Sequence, residues 1–436
     1  MPIRSTLSAA LLTACLLFPA TIQAQSADAF NGSLYSRFGM GELFSLGSNR
    51  AVGMGGGGYA LASAEYTSFA NPAALSDQVL ARIGFGGYYQ GIEITDADDE
   101  QTLLSDGLIG PIQLAIPLYA RKLGLGLQYA PYSRVSYQVQ QPGVLTDPLT
   151  GQTTDFSTAY RGSGGLQRLE VGAGYAPNEN LRIGATFGML FGIIERSLRT
   201  TSEDALFTTV TQNRSTRQTG VLASLGAQYT LPNLGSEGNR LTAGLVVSPG
   251  IVLDAERVST LGESLDRDTL ATSQDGKTRL PWTIAGGLSY SVGDRWTFTT
   301  DARFEPWTEF ESDFEWPGYE VDGVSRFQDR VRVSGGFEYI PAGNRPFEPY
   351  WRRVAYRLGG SFDKGYIDPV AGEGIETLAL TGGFSLPTLL PGTQVDLNLE
   401  AGTRGSASGD LVRDRYYRVG LNINIGERWF QRQKLR

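Results

Sequence analysis

The chain contains no histidine and a single cysteine, Cys15. Without histidine, nucleophiles of the Ser-His-Asp or Cys-His kind lose their base. With Cys15 set aside, disulfides and Cys/His metal sites go as well. Carboxylate chemistry survives this cut, but no Asp/Glu pair stands out. No catalytic residue, metal site or cofactor is therefore assigned, and the expectation is a protein that is not an enzyme. Basic residues are also short, 37 Lys and Arg against 45 Asp and Glu for a net charge of −8. A polyphosphate backbone demands the opposite balance, so nucleic acid is not an expected partner. Beyond residue 24 there is no run of about 18 apolar residues either, so no membrane-spanning helix is predicted.

What is present begins with MPIRSTLSAALLTACLLFPATIQAQS, an arginine followed by an apolar run from Leu7 to Ala20 and then small residues. That layout is a secretory signal peptide over residues 1–24, with the mature chain starting near Gln25. Leu12-Thr13-Ala14-Cys15 offers a competing lipoprotein reading, although the apolar run continues past the cysteine. The remainder holds 56 glycines and 11% aromatic residues. An exported chain of this composition without apolar helices leaves one way to sit in a membrane, the closed β-barrel.

Period-two alternation supports that reading. In VGLNINIG, Val419, Leu421, Ile423 and Ile425 share one face while Gly420, Asn422, Asn424 and Gly426 share the other. The same split runs through 181–191, 295–305 and 394–401, and each polar face mixes charges, hydroxyls and glycine in the manner of a wet interior. Strands are predicted near 79–90, 111–118, 122–138, 166–176, 180–198, 216–230, 240–254, 280–292, 295–306, 327–340, 352–363, 375–386, 393–402 and 413–426. This is an all-β fold, a transmembrane barrel of about 14 antiparallel strands over residues 78–430, followed by a periplasmic tail at 431–436. Connections alternate short and long. Tyr119 to Arg121, Pro177 to Glu179 and Gly293-Asp294 are predicted turns, whereas Gln140 to Gly165, Arg199 to Ser215, Ala255 to Thr278 and Trp307 to Arg326 are predicted external loops. Trp282, Trp296, Trp307, Trp351 and Trp429 fall near strand ends and are expected in the interfacial girdle.

Residues 25–77 show no alternation over most of their length. From Gly53 the chain reads GMGGGGYALASAEYTSFANPAAL. Gly53, Gly55 and Gly58 match the spacing of a dinucleotide fingerprint, but that motif needs a strand before it and a helix after it. A flexible linker is the plainer alternative. The reading adopted is a plug within the lumen, where irregular backbone is tolerated at membrane depth, with Pro72 forcing Asn71 to extend into a fixed turn.

The run Gly47, Arg50, Ala51, Gly53, Gly55, Gly57, Ala60, Ala62, Ala64 and Asn71-Pro72-Ala73 resembles the N-terminal hatch of the FadL-like outer-membrane transporters of long-chain fatty acids and aromatic hydrocarbons. Leu34 to Gly41 departs from that pattern, so the resemblance is to a divergent member. It implies a fourteen-stranded barrel in the outer membrane of a Gram-negative bacterium, plugged by a hatch and in contact with outer-membrane lipid. It also implies passage of a hydrophobic small-molecule ligand by passive diffusion, with lateral exit at a kinked early strand. Pro131 cannot donate to a ladder, so Ala130, Pro131 and Tyr132 are the candidate kink. Arg330, Arg332, Arg353 and Arg357 are candidate lumen charges, expected to pair with one another or with the plug. The same superfamily includes PorV-like proteins that bind exported protein cargo, which keeps secretion-system proteins open as partners.

Overall fold

In the computed structural model the described residues are 32–428, apart from 45–46, 62, 147–152, 203–207, 263–272, 322–323, 326, 344, 369–373, 391 and 408–410. The predicted signal peptide, Cys15, Trp429 and the tail lie outside them. Fourteen antiparallel strands close into one barrel. They are β1 (Ala81–Thr95), β2 (Gln101–Ile109 and Ile112–Tyr119), β3 (Leu123–Pro131, Ser133–Arg134 and Tyr137–Thr146), β4 (Thr153–Tyr175) and β5 (Leu181–Ser202). Then come β6 (Val210–Pro232), β7 (Arg240–Ser248 and Ile251–Gly262), β8 (Gln274–Leu280 and Thr283–Val292), β9 (Trp296–Glu305) and β10 (Arg330–Tyr339). The circuit finishes with β11 (Ala355–Lys364), β12 (Glu376–Pro387), β13 (Gln394–Arg404) and β14 (Arg413–Glu427), and β14 pairs with β1 from Ala81↔Glu427 to Thr95↔Arg413.

Burial is inverted relative to a soluble sheet. Apolar side chains such as Leu225 and Leu380 point outward at 66% and 68% exposure, while Thr186, Gln228, Asp301 and Asn398 are buried on the inner face. Water cannot satisfy backbone groups in hydrocarbon, so a closed ladder with a greasy exterior is the stable solution.

Two expectations about strand ends are corrected. Three of the predicted external loops are mostly strand, because β3 to β7 run on well past the apolar band. β4 and β6 have 23 residues each, against 10 in β10. At about 3.3 Å per residue and a tilt near 40°, such strands rise far above a band about 25 Å tall. Above the band both faces meet water, so the alternation that marks a membrane strand disappears and the sequence reads as loop. Likewise Gln101–Ile109, read as loop, is strand.

Trp307 is not in the girdle. It is 1% exposed and packs on Tyr366 at 4.2 Å between ring centroids, inside a cluster with Phe310, Phe327 and Trp316. The connection after β9 therefore folds inward over the lumen. Trp296 opens β9, Trp282 sits at the break inside β8 and Trp351 lies just before β11, and all three are exposed. Arg353 is also misplaced by the alternation: it ends a short helix, α1 (Tyr350–Arg353), before β11 begins, and stacks on Tyr350. Pro349 opens that turn of helix, which breaks the period-two phase that joined Arg353 to Arg357.

Candidate functional site

The segment 32–77 lies against the inward faces of the wall. Asn71 anchors its lower end. Its backbone is extended ahead of Pro72, its Oδ1 accepts from the Ala73 N–H at 3.1 Å, and the 3-10 turn Pro72–Asp77 follows. Its Nδ2 donates to the carbonyls of Tyr59 at 2.9 Å and Ala227 at 3.1 Å. One fully buried side chain thus ties the hatch to itself and to β6, and Ala73 is packed at 0% exposure beside it.

Higher up, the glycine run slides along β10 and β11. Gly55 has φ +95°, and a Cβ there would sit 2.4 Å from the Gly360 carbonyl oxygen. Only glycine meets both the sign of φ and the approach. At Gly57 a Cβ would meet Asp301, whose carboxylate accepts from the Tyr59 N–H at 2.9 Å. At Gly53 it would meet Arg357 and Asn398. The Gly53, Gly55 and Gly57 positions singled out in the sequence are therefore points of backbone-to-wall contact.

Two of the four predicted lumen arginines, Arg332 and Arg357, reach the hatch, and Arg330 pairs with wall carboxylates beside them. Arg357 Nε donates to Glu338 Oε2 at 2.7 Å, and its Nη2 donates to the Tyr66 hydroxyl at 2.9 Å. Its Nη1 reaches Asp396 at 3.3 Å. From the hatch, Arg50 Nη2 meets the same Glu338 at 2.7 Å. Arg330 bridges Asp363 at 2.7 Å and Glu305 at 3.0 Å, and Arg332 meets Asp363 at 3.3 Å while donating to the Gly55 carbonyl at 3.1 Å. The guanidiniums pair with wall carboxylates, and those of Arg332 and Arg357 also bond the plug.

Sequence reasoning missed a third cluster. Glu42 of the hatch accepts from Arg404 and Arg418, both at 2.7 Å, and Arg418 also reaches Glu400 at 3.3 Å. Burial alone would raise the Glu42 carboxyl, but the two guanidiniums overcome it and hold it down to about 2. Glu42, an acid between the glycines of the hatch's opening stretch, was the available signal.

The wall itself is interrupted beside Glu42. β2 breaks at Gly110-Pro111 and β3 at Pro131 to Ser136, on neighbouring strands. Below the breaks the ladder runs in register from Ile112↔Tyr129 to Pro117↔Gly124 and shifts only at Tyr119, but among the described residues no ladder joins Gln101–Ile109 to Tyr137–Thr146. Proline removes a donor from each strand at the same level, and the ladder does not resume above. This is a seam. Ala130 and Pro131 end the lower piece, and the Tyr132 ring lies under Arg168 at 5.0 Å.

Two devices close the seam from within. The hatch strand Glu42–Leu43 pairs with Ser133–Arg134, and the Phe44 N–H donates to the Tyr132 carbonyl at 2.9 Å, so the hatch takes the edge that β2 leaves vacant. Gly41, at φ +88°, lets the chain come close to the Arg134 carbonyl. Across the seam, Arg134 and Asp106 form a two-point ion pair at 2.5 and 2.7 Å.

A cavity of about 260 Å³ opens between hatch and seam. Leu43, Phe44, Tyr88, Pro111 and Pro131 line it, with the Glu42, Arg404 and Arg418 cluster at one end. On its wall Arg332 Nε and Asn398 Oδ1 have no hydrogen-bond partner among the described residues. The arrangement joins an apolar chamber to a break in a membrane wall.

Barrel, luminal hatch and interrupted early strands define an outer-membrane barrel of the FadL-type fold. The solved structures agree. A FadL homologue of Pseudomonas aeruginosa is 13% identical with TM-score 0.57, covering 88% of this chain and 99% of that one. The CymD monoaromatic hydrocarbon channel is 16% identical with TM-score 0.55, over 90% and 100%. The toluene transporter TodX of Pseudomonas putida is 14% identical with TM-score 0.52, over 89% and 100%. At these identities the likeness is one of fold. The BamG family model matches residues 6–436, and the chain belongs to the BamG family. No individual curated protein matches it in sequence.

Proposed function

We propose that the protein is a passive conduit, not an enzyme, for hydrophobic small molecules: a solute enters from outside, rests in the chamber beside the hatch, and leaves through the seam between β2 and β3 into the bilayer. The observation that carries this reading is the coincidence of the two strand breaks, Gly110-Pro111 and Pro131 to Ser136, with the cavity that Pro111 and Pro131 line. An apolar solute gains about 0.8 kcal/mol per CH₂ on leaving water, so transfer needs a path around the polar surface layer and no energy source. The chamber is smaller than the roughly 300–1,000 Å³ of drug-sized pockets, which favours compact or slender apolar molecules over a polypeptide segment. The channels of similar fold are named for toluene and monoaromatic hydrocarbons, the size class such a chamber suits. Segment 32–77 acts as the plug that keeps ions and water-soluble solutes out.

The test pairs ligand identification with transport. Purified protein should retain an apolar compound detectable by native mass spectrometry, and proteoliposomes should admit a labelled aromatic hydrocarbon faster than empty vesicles. Pro131→Val, which restores a ladder donor, should slow that uptake. Purification with a bound polypeptide and no lipid or hydrocarbon, together with uptake equal to that of empty vesicles, would overturn the reading in favour of a secretion-type role.

A further inference from the structure

Above the hatch, on the tall side of the barrel, three arginines have no carboxylate. Arg196 on β5 stands directly opposite Arg214 on β6, and Thr216, two residues along β6, stands opposite Arg257 on β7. Alternation puts Arg214 on the same face as the buried Thr216 and Gln218, and Arg214 itself is exposed. Directly opposed side chains have Cβ atoms roughly 4.5–5.5 Å apart, and like charges so placed destabilise a sheet. Among the described residues none of the three forms an ion pair, and Arg214 forms no hydrogen bond.

Their surroundings hold them without neutralising them. Arg196 donates to the Gly39 carbonyl at 2.7 Å, and its Nε is buried with no partner. Arg257 donates to the Thr216 hydroxyl at 3.0 Å and to the Glu315 carbonyl at 3.1 Å. Trp316 lies between the two, its ring centroid 5.0 Å from Arg196 Cζ and 5.3 Å from Arg257 Cζ, and Phe314 sits 4.6 Å from Arg257. In a chain of net charge −8 these cations lie outside ion-pair reach of any described carboxylate, with Glu315 acting on Arg257 only through space, and such a cluster attracts negative charge.

We propose that Arg196, Arg214 and Arg257 form an oxyanion site in the outer lumen, which takes the carboxylate or phosphate of an amphiphile while Trp316 and Phe314 receive the start of its apolar body. Guanidinium forks match both groups in a two-point geometry. The site stands apart from the chamber at the seam, so it sorts or concentrates acidic amphiphiles independently of how neutral solutes cross.

The test is calorimetric titration of the purified protein in a neutral detergent with octyl phosphate, octanoate, inorganic phosphate and octanol. At least one of the three oxyanions should bind. Arg214→Gln together with Arg257→Gln should weaken that binding at least tenfold, and Arg214→Gln alone should weaken it without disturbing packing, because Arg214 holds no partner. Preference for octyl phosphate identifies a phosphorylated lipid headgroup as the ligand class, preference for octanoate a fatty acid, and equal binding of inorganic phosphate a free anion. Binding by none of the oxyanions, binding unchanged in the double variant, or octanol bound as tightly would overturn the proposal. Uptake of a neutral hydrocarbon should be the same in the double variant, so failure of the oxyanion site and failure of the conduit are told apart.

Discussion

The lower and outer halves of the lumen handle the same residue, arginine, in opposite ways. Below, Arg50, Arg330, Arg332, Arg357, Arg404 and Arg418 each meet a carboxylate, and the network crosses from wall to hatch. Above, Arg196 and Arg257 meet carbonyls, a hydroxyl and aromatic rings, and Arg214 meets none of these. A matched buried charge locks a plug in one register, because displacement strands both partners away from water. An unmatched one leaves affinity for something that arrives from outside.

Arginine removal should therefore have opposite signs in the two regions. The largest effect is expected from Arg357→Met, which leaves the fully buried Asp396 with no ion-pair partner among the described residues and Glu338 with Arg50 alone. Loss of one partner in such a pair costs about 3–5 kcal/mol, read as a lower unfolding temperature, and planar-bilayer conductance should rise as the hatch loosens. Next is Gly55→Val. A side chain at φ +95° against the Gly360 oxygen should lift the hatch from β10 and β11 at about 1–3 kcal/mol, seen as faster proteolysis within 32–77.

Acid separates the regions further. Because the folded Glu42 carboxyl is held down to about 2 from an ordinary 4.5, its contribution is complete above pH 4.5 and is lost as the pH falls through 2. Conductance should rise across that window, and Glu42→Gln should already be leaky at pH 7 and lose this component of the pH response. Smallest, and reversed in sign, is Arg214→Gln in the absence of ligand. Relief of the direct opposition to Arg196 should stabilise the barrel by about 0.2–1 kcal/mol, measured in neutral detergent without added anion.

What could be read from the sequence follows the same physical division. Where lipid lies on one side and water on the other, alternation is enforced, so strand order and the inward arginines at 330, 332 and 357 were legible. Asn71-Pro72 was legible because proline fixes its neighbour's backbone. Above the bilayer that constraint ends, and long strands such as Thr153–Tyr175 hid as polar loops. Arg353 kept the right spacing but fell on a helical turn. Pro131 announced one side of the seam, whereas Pro111 was read only as the start of a strand at 111–118. Their alignment on neighbouring strands needed the register. Glu42 and its two arginines are 362 and 376 residues apart, and no local pattern joins them.

The seam is the feature on which the conduit depends, and the Asp106 and Arg134 pair is where it can be locked. A protein carrying Asp106→Cys and Arg134→Cys should take up a labelled aromatic hydrocarbon when reduced. It should lose at least tenfold of that rate once a reducible bis-methanethiosulfonate linker bridges the two thiols, verified by gel mobility, and recover on reduction. Uptake by the bridged protein equal to that of the reduced protein would contradict lateral exit between β2 and β3.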